Sequence, residues 1–185
     1  MEDFKMFYKK LWVAVMVLAL FTLCVSGAAA QELTEVYSDP DNGFSVSYPE
    51  NWLEGELEGA LVWLYDEETS SELIVVKEEI PEGFTAKQYA DAVGEWLEQN
   101  LEEYSEESLT EGTLSGAPSF TRVYSFSLKG EEATVSIKTL EIYTVKDDYG
   151  LAVLCDTTSE NFASMEDLFN KMVASFKFLE EEKPN

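Results

Sequence analysis

The segment Gly43-Phe-Ser-Val-Ser-Tyr-Pro49 alternates apolar and small polar residues, the pattern of a strand with one buried face. Before it, Asp39-Pro-Asp-Asn-Gly43 is turn chemistry and Leu33 to Ser38 is a second short run, so the pair predicts a β-hairpin. Two further strands are predicted over Ala60 to Asp66 and Glu72 to Glu79, separated by the polar link Glu67 to Ser71. Leu73-Ile-Val-Val76 is continuously apolar, which predicts a central strand covered on both faces.

The period then changes from two to about 3.6. Pro81-Glu-Gly83 closes the sheet segment and a helix begins at Thr85. Thr85 and Gln88 have the spacing of a capping box, and Phe84 and Tyr89 that of a hydrophobic staple. Tyr89, Val93, Trp96, Leu97, Leu101 and Tyr104 form one apolar stripe, which carries the predicted helix through Tyr104. Glu98, Glu102, Glu103, Glu106 and Glu107 then crowd its C-terminal end, where the helix dipole favours cations. These acids read either as a solvated face or as a docking patch for a basic partner or for cations.

A meander follows, with strands near Ser108 to Leu114, Ser119 to Lys129, Ala133 to Val145 and Leu151 to Asp156. Alternation puts Phe120, Arg122, Tyr124, Phe126 and Leu128 on one face of the second of these. Arg122, the only arginine, is expected to lay its stem along the rings with the guanidinium at the rim or paired to a glutamate; an anion or ligand contact is the alternative. A last helix near Glu160 to Ser175 carries Phe162, Met165, Phe169 and Met172 on one face, and Phe176-Lys-Phe178 resumes as a short strand. The order of elements predicts an α+β domain, a mostly antiparallel β-sheet flanked by helices on both faces as an α/β/α sandwich.

The ends of the chain read differently from this body. Lys5, Lys9 and Lys10 precede the uncharged run Leu11 to Val25, and Ser26-Gly-Ala-Ala-Ala30 supplies small residues for cleavage. This is the layout of a secretory signal peptide over residues 1–30, with an uncleaved N-terminal membrane anchor as the second reading. The uncharged run is shorter than the ~20 residues of a membrane-spanning helix. Export to a periplasmic or extracellular space follows, with no stable membrane insertion once the signal is removed. Residues 31–179 are then a single domain and 180–185 a polar tail.

Charge narrows the list of functions. The 185 residues hold 37 acidic and 12 basic side chains and no histidine, a net charge of −25. Removing residues 1–30 takes away two acids and three lysines, so the charge becomes −26. Such a surface repels phosphate backbones, which excludes nucleic acid as a partner. The lack of histidine removes every mechanism that needs an imidazole, including Ser-His-Asp triads and the usual catalytic zinc sites. No catalytic, cofactor-binding or metal-ligating set stands out, and the chain reads as a non-enzyme. Asp39, Asp41 and Asn42, and likewise Asp147-Asp148, leave weak calcium binding open, although the distal glutamate of an EF-hand loop is missing. After cleavage Cys155 is the only cysteine, so no intrachain disulfide can form, and it reads as a buried structural thiol. Trp52, Trp63 and Trp96 sit within apolar patterns that a core explains as well as a sugar or lipid cleft does.

Four segments together resemble a known family. They are Gly43-Phe-Ser-Val-Ser-Tyr-Pro-Glu-Asn-Trp52, the long helix after Ile80-Pro81, Leu114-Ser-Gly-Ala-Pro118 before an aromatic strand, and Ala174-Ser-Phe-Lys-Phe178. In order and spacing they are similar to the PsbP-like domains, related in fold to Mog1. The resemblance implies an antiparallel sheet between helices and a non-catalytic interaction or assembly role with a protein partner. In plants and cyanobacteria, members are extrinsic subunits or assembly factors of photosystem II, linked to calcium and chloride retention. An extracytoplasmic cation or small-molecule binder, including a calcium-linked role of that kind, is therefore the alternative. The plant subunit docks through basic residues, whereas this chain is strongly acidic.

Overall fold

A computed structural model describes residues 31–130 and 133–179. The segment read as a signal peptide, Glu131 at the predicted Gly130 turn, and the polar tail lie outside the described residues. Strands β1 (Glu35–Asp39) and β2 (Phe44–Tyr48) form the expected hairpin. They are followed by β3 (Leu53–Gly55), β4 (Ala60–Asp66) and β5 (Ser71–Glu79). Helix α1 (Ala86–Asn100) leads into the meander β6 (Glu102–Leu114), β7 (Ala117–Lys129), β8 (Thr134–Lys146) and β9 (Tyr149–Thr158). Helix α2 (Phe162–Ser175) and the short β10 (Lys177–Phe178) close the fold.

Seven strands form one antiparallel sheet in the order β3-β4-β5-β9-β8-β7-β6, and β1-β2-β10 form a smaller one. The crossover through α1 lets the chain return along β9 to pair with β5, which becomes central. Its apolar run splits accordingly: Leu73 and Val75 face α2, while Ile74 and Val76 face α1. On the first side Phe162, Met165, Phe169 and Met172 of α2 meet the inward face of the small sheet, Phe44, Val46 and Tyr48. On the other, Tyr89, Val93, Trp96 and Leu97 of α1 pack on Tyr124, Phe126 and Tyr143. Each fully buried large side chain contributes roughly 1.5–3 kcal/mol, so these two layers hold the sandwich together. The α/β/α arrangement expected from the order of elements is the one observed.

The start of α1 follows the sequence. Thr85 Oγ1 accepts from the Gln88 amide at 3.3 Å, and Gln88 Oε1 accepts from the Thr85 amide at 3.0 Å, which completes the capping box. Its end does not. The helix stops at Asn100, whose side-chain amide donates to the Trp96 carbonyl at 2.8 Å, and Leu101 is extended. Glu102, Glu103, Glu106 and Glu107 therefore lie on β6, not on a helix, and only Glu98 of the five belongs to α1. Neither Gly nor Pro marks this boundary. A glutamate-rich edge strand, exposed on both faces, shows no period of two, so the helical stripe read from sequence runs past the true end of the helix.

Candidate functional site

Arg122 is the hub of one polar network. Cross-strand register sets it between Leu109 of β6 and Glu141 of β8 on the face covered by α1. Nη2 donates to the Ala90 carbonyl of α1 at 2.7 Å, and Nη1 is bonded to Glu106 and to the Tyr104 hydroxyl, the latter at 3.3 Å. The guanidinium also lies 5.7 Å from the centre of the Tyr143 ring. Burial works against its charge, but Tyr143, Tyr104 and Glu106 outweigh this and hold the pKa above its ordinary value. Close approach depends on Gly94, where a Cβ would overlap the guanidinium. The expected pairing with a glutamate is present, whereas the rim position is not: Arg122 is only 4% exposed. It ties α1, β6 and β7 together, and both terminal nitrogens are engaged within the fold.

A second network is carboxylic. Glu72 and Asp156 are direct cross-strand neighbours on β5 and β9, both buried, and they hydrogen-bond to each other. Two carboxyls can do so only if they hold a proton between them. Glu72 also accepts from the Trp63 indole at 2.7 Å. Burial raises both pKa values; the charge of Glu72 raises Asp156 further, whereas the hydrogen bonds from Asp156 and Trp63 restrain Glu72. The pair as a whole therefore favours a bound proton, shared between the two carboxyls. Nearby, Glu141 accepts from the Tyr124 hydroxyl at 3.0 Å. Glu78 accepts from the Tyr89 hydroxyl of α1, and burial pushes its pKa up to about 8. Sequence reading passed over these four acids among many. The available signal was position: Glu141 interrupts the apolar run Leu140 to Ile142, Glu72 borders Leu73 to Val76, and Asp156 ends Leu151 to Cys155.

The acids singled out in sequence are dispersed differently. Both Asp39 oxygens accept from Asn42, at 2.9 and 2.8 Å, so this pair closes the β1–β2 turn. Asp147 has φ 55° in the β8–β9 turn. Among the described residues no three His, Cys, Asp or Glu side chains converge on a metal-sized site. Cys155 is fully buried, and burial followed by the charge of Asp156 raises its thiol pKa well above normal. Trp52 belongs to the α2-side core, while Trp63 and Trp96 lie on the α1 side, so the three line no common cleft.

A third feature is the outer strand β6. It is thirteen residues long, ends the seven-stranded sheet, and is exposed along most of its length. In its first half the register with β7 is irregular between Glu102 and Ser105 and between Glu106 and Ser108. Glu102 pairs with Lys129 at 2.5 Å and Glu107 with Lys138 at 2.7 Å, Glu103 accepts from Ser127, and Glu106 holds Arg122. The acidic run is thus largely committed to neighbouring strands. From Ser108 to Leu114 the register is unbroken.

One antiparallel sheet between two helices, with a small sheet beside the second, places the chain in the Mog1/PsbP class of α+β domains. The family model for PsbP matches residues 32–178, and the chain belongs to the PsbP family. The solution structure of cyanobacterial PsbP (CyanoP) from Synechocystis sp. PCC 6803 is similar at TM-score 0.59 and 20% identity, covering 86% of this chain and 99% of that one. LpqN of Mycobacterium tuberculosis, described as involved in cell envelope biogenesis, matches at TM-score 0.57 and 12% identity over 74% of this chain and 83% of its own. The Saccharomyces cerevisiae Ran-binding protein Mog1p gives TM-score 0.56 and 12% identity, covering 80% and 97%. At these identities the structural likeness is one of fold. No curated protein matches the chain in sequence.

Proposed function

We propose that this PsbP-family domain is an exported, non-catalytic interaction module that holds a protein partner outside the cytoplasm. The observation that carries the reading is the thirteen-residue outer strand β6, exposed along most of its length at the margin of the large sheet. An uncovered edge of this length is a liability unless it is protected or used. The pattern of residues 1–30 supports export, and the relatives of this fold include a protein described as Ran-binding. Every strongly buried polar cluster described above braces the fold, linking strand to strand or strand to helix, and none opens onto a reacting group.

The reading is tested by photo-crosslinking the full chain in its native cell envelope, with a photoreactive residue placed in turn at several exposed positions. A single defined adduct from a subset of positions is expected, and its yield should fall as salt screens the acidic surface. Absence of any adduct from every position would overturn the module reading.

A further inference from the structure

We infer that the second half of β6, Ser108 to Leu114, is the docking edge, and that its partner is an extended segment of another protein bearing lysine or arginine, added to the sheet as an eighth strand. The inference rests on the module reading above and names the site and the partner's chemistry.

The two halves of β6 differ in how they meet solvent. Glu102 to Glu107 carries four glutamates and two register irregularities, the devices by which sheets discourage edge pairing. Ser108 to Leu114 has no such irregularity: seven consecutive residues stay in register with β7, from Ser108 opposite Val123 to Leu114 opposite Ala117. It contains no proline and a single charge, Glu111. In an antiparallel ladder alternate N–H and C=O groups point to opposite neighbours, so one set on this stretch faces outward with no strand beyond it among the described residues. An added strand would complete that set, the mode of recognition in which backbone bonds give affinity and alternate side chains give selectivity.

Side chains define the occupant. Leu109 and Glu111 share the α1 face with Arg122 and Phe120 of β7, whereas Thr110 and Gly112 share the opposite face with Thr121 and Ser119. A partner residue beside Glu111 is best cationic, and the net charge of −25 steers a basic segment inward from a distance. Beside Thr110 and Gly112 the surface is small, leaving room for β-branched side chains. Alternating lysine and valine meets both requirements. A second copy of this chain does not, because pairing two β6 edges about Glu111 sets like charges side by side.

The test uses full-length protein and two synthetic seven-residue peptides, Thr-Lys-Val-Lys-Val-Lys-Thr and its counterpart with glutamate for lysine. Amide hydrogen exchange is followed residue by residue. The lysine peptide is expected to slow exchange at least tenfold at alternate amides within Ser108–Leu114, and the glutamate peptide to leave them unchanged. Glu111→Lys, an exposed substitution, should weaken the lysine peptide at least tenfold while leaving the melting temperature in place. Thr110→Lys, which alters the same edge on the other face, provides a second folded variant and should weaken it as well. Protection spread over the acidic surface without alternation would overturn the inference, as would lysine-peptide binding unaffected by both variants. If the envelope adduct forms normally in Glu111→Lys and Thr110→Lys, the module reading stands and the assigned edge is wrong. If no adduct forms in the wild-type chain, the module reading itself fails.

Discussion

Replacing Glu78 by glutamine should change how stability depends on pH. Glu78 is 6% exposed, accepts from Tyr89 of α1, and is raised from 4.5 to about 8, first by burial and further by the charge of Glu141, against the opposing pull of the Tyr89 bond. The folded state therefore keeps this proton up to about pH 8, while the unfolded chain releases it above pH 4.5. Between those limits the unfolded state binds fewer protons, so stability falls as pH rises, by about 1.4 kcal/mol per unit and roughly 5 kcal/mol across the window as an upper bound. Above the window the cost is fully present. Glutamine cannot ionise, but it leaves an amide where Glu78 Oε1 already has no partner among the described residues, at a cost of about 1–3 kcal/mol. The variant should thus be less stable than wild type at pH 5 and more stable at pH 8.5, with the curves crossing between. Urea unfolding at half-unit pH steps measures this, and taking the difference between the two proteins cancels the same-sign slope from Glu72 and Asp156. A difference that stays constant from pH 5 to 8.5 would refute the assignment of a buried proton to Glu78.

Three further outcomes follow from the geometry. Gly94→Ala should destabilise despite the ~1 kcal/mol gain in helix propensity, because the new methyl group would displace Arg122 from Ala90 and Glu106; urea unfolding of Gly94→Ala and of Gly94→Ala/Arg122→Met separates the two effects, and the double variant should lose less than the sum. Thr85→Ala removes one arm of the capping box and should cost about 1 kcal/mol by the same measurement. Cys155 should resist a thiol reagent at pH 8 in the folded protein and react promptly in urea, since burial and Asp156 both hold it as the thiol.

The sequence carried the fold wherever a periodic pattern met a defined terminus. Thr85 and Gln88 placed the start of α1, and Leu73 to Val76 announced a strand buried on both faces. The three-residue β3 escaped notice because Leu53-Glu-Gly55 is too short to show alternation. At Leu101 the chain turns from helix to strand with Glu103 at φ 55°, a change that no turn residue marks. The docking edge is half legible in sequence: its glutamates stand out, but only the folded strands show that four of them are tied to β7 and β8 while the stretch beyond, with Glu111 as its single charge, is open. The buried acids were harder still. A carboxylate in a solvated loop and one beneath a helix are the same letter, and what separates Glu72 from Glu67 is the strand that Asp156 brings alongside.

The account turns on whether this domain meets its partner through β6. A photoreactive residue at Thr110, compared with one at Glu166 on the exposed side of α2, tests this in the native envelope. A single protein adduct from Thr110 that is lost when Glu111 is changed to lysine, with none from Glu166, is the expected result. An adduct from Glu166 with none from Thr110 would contradict it.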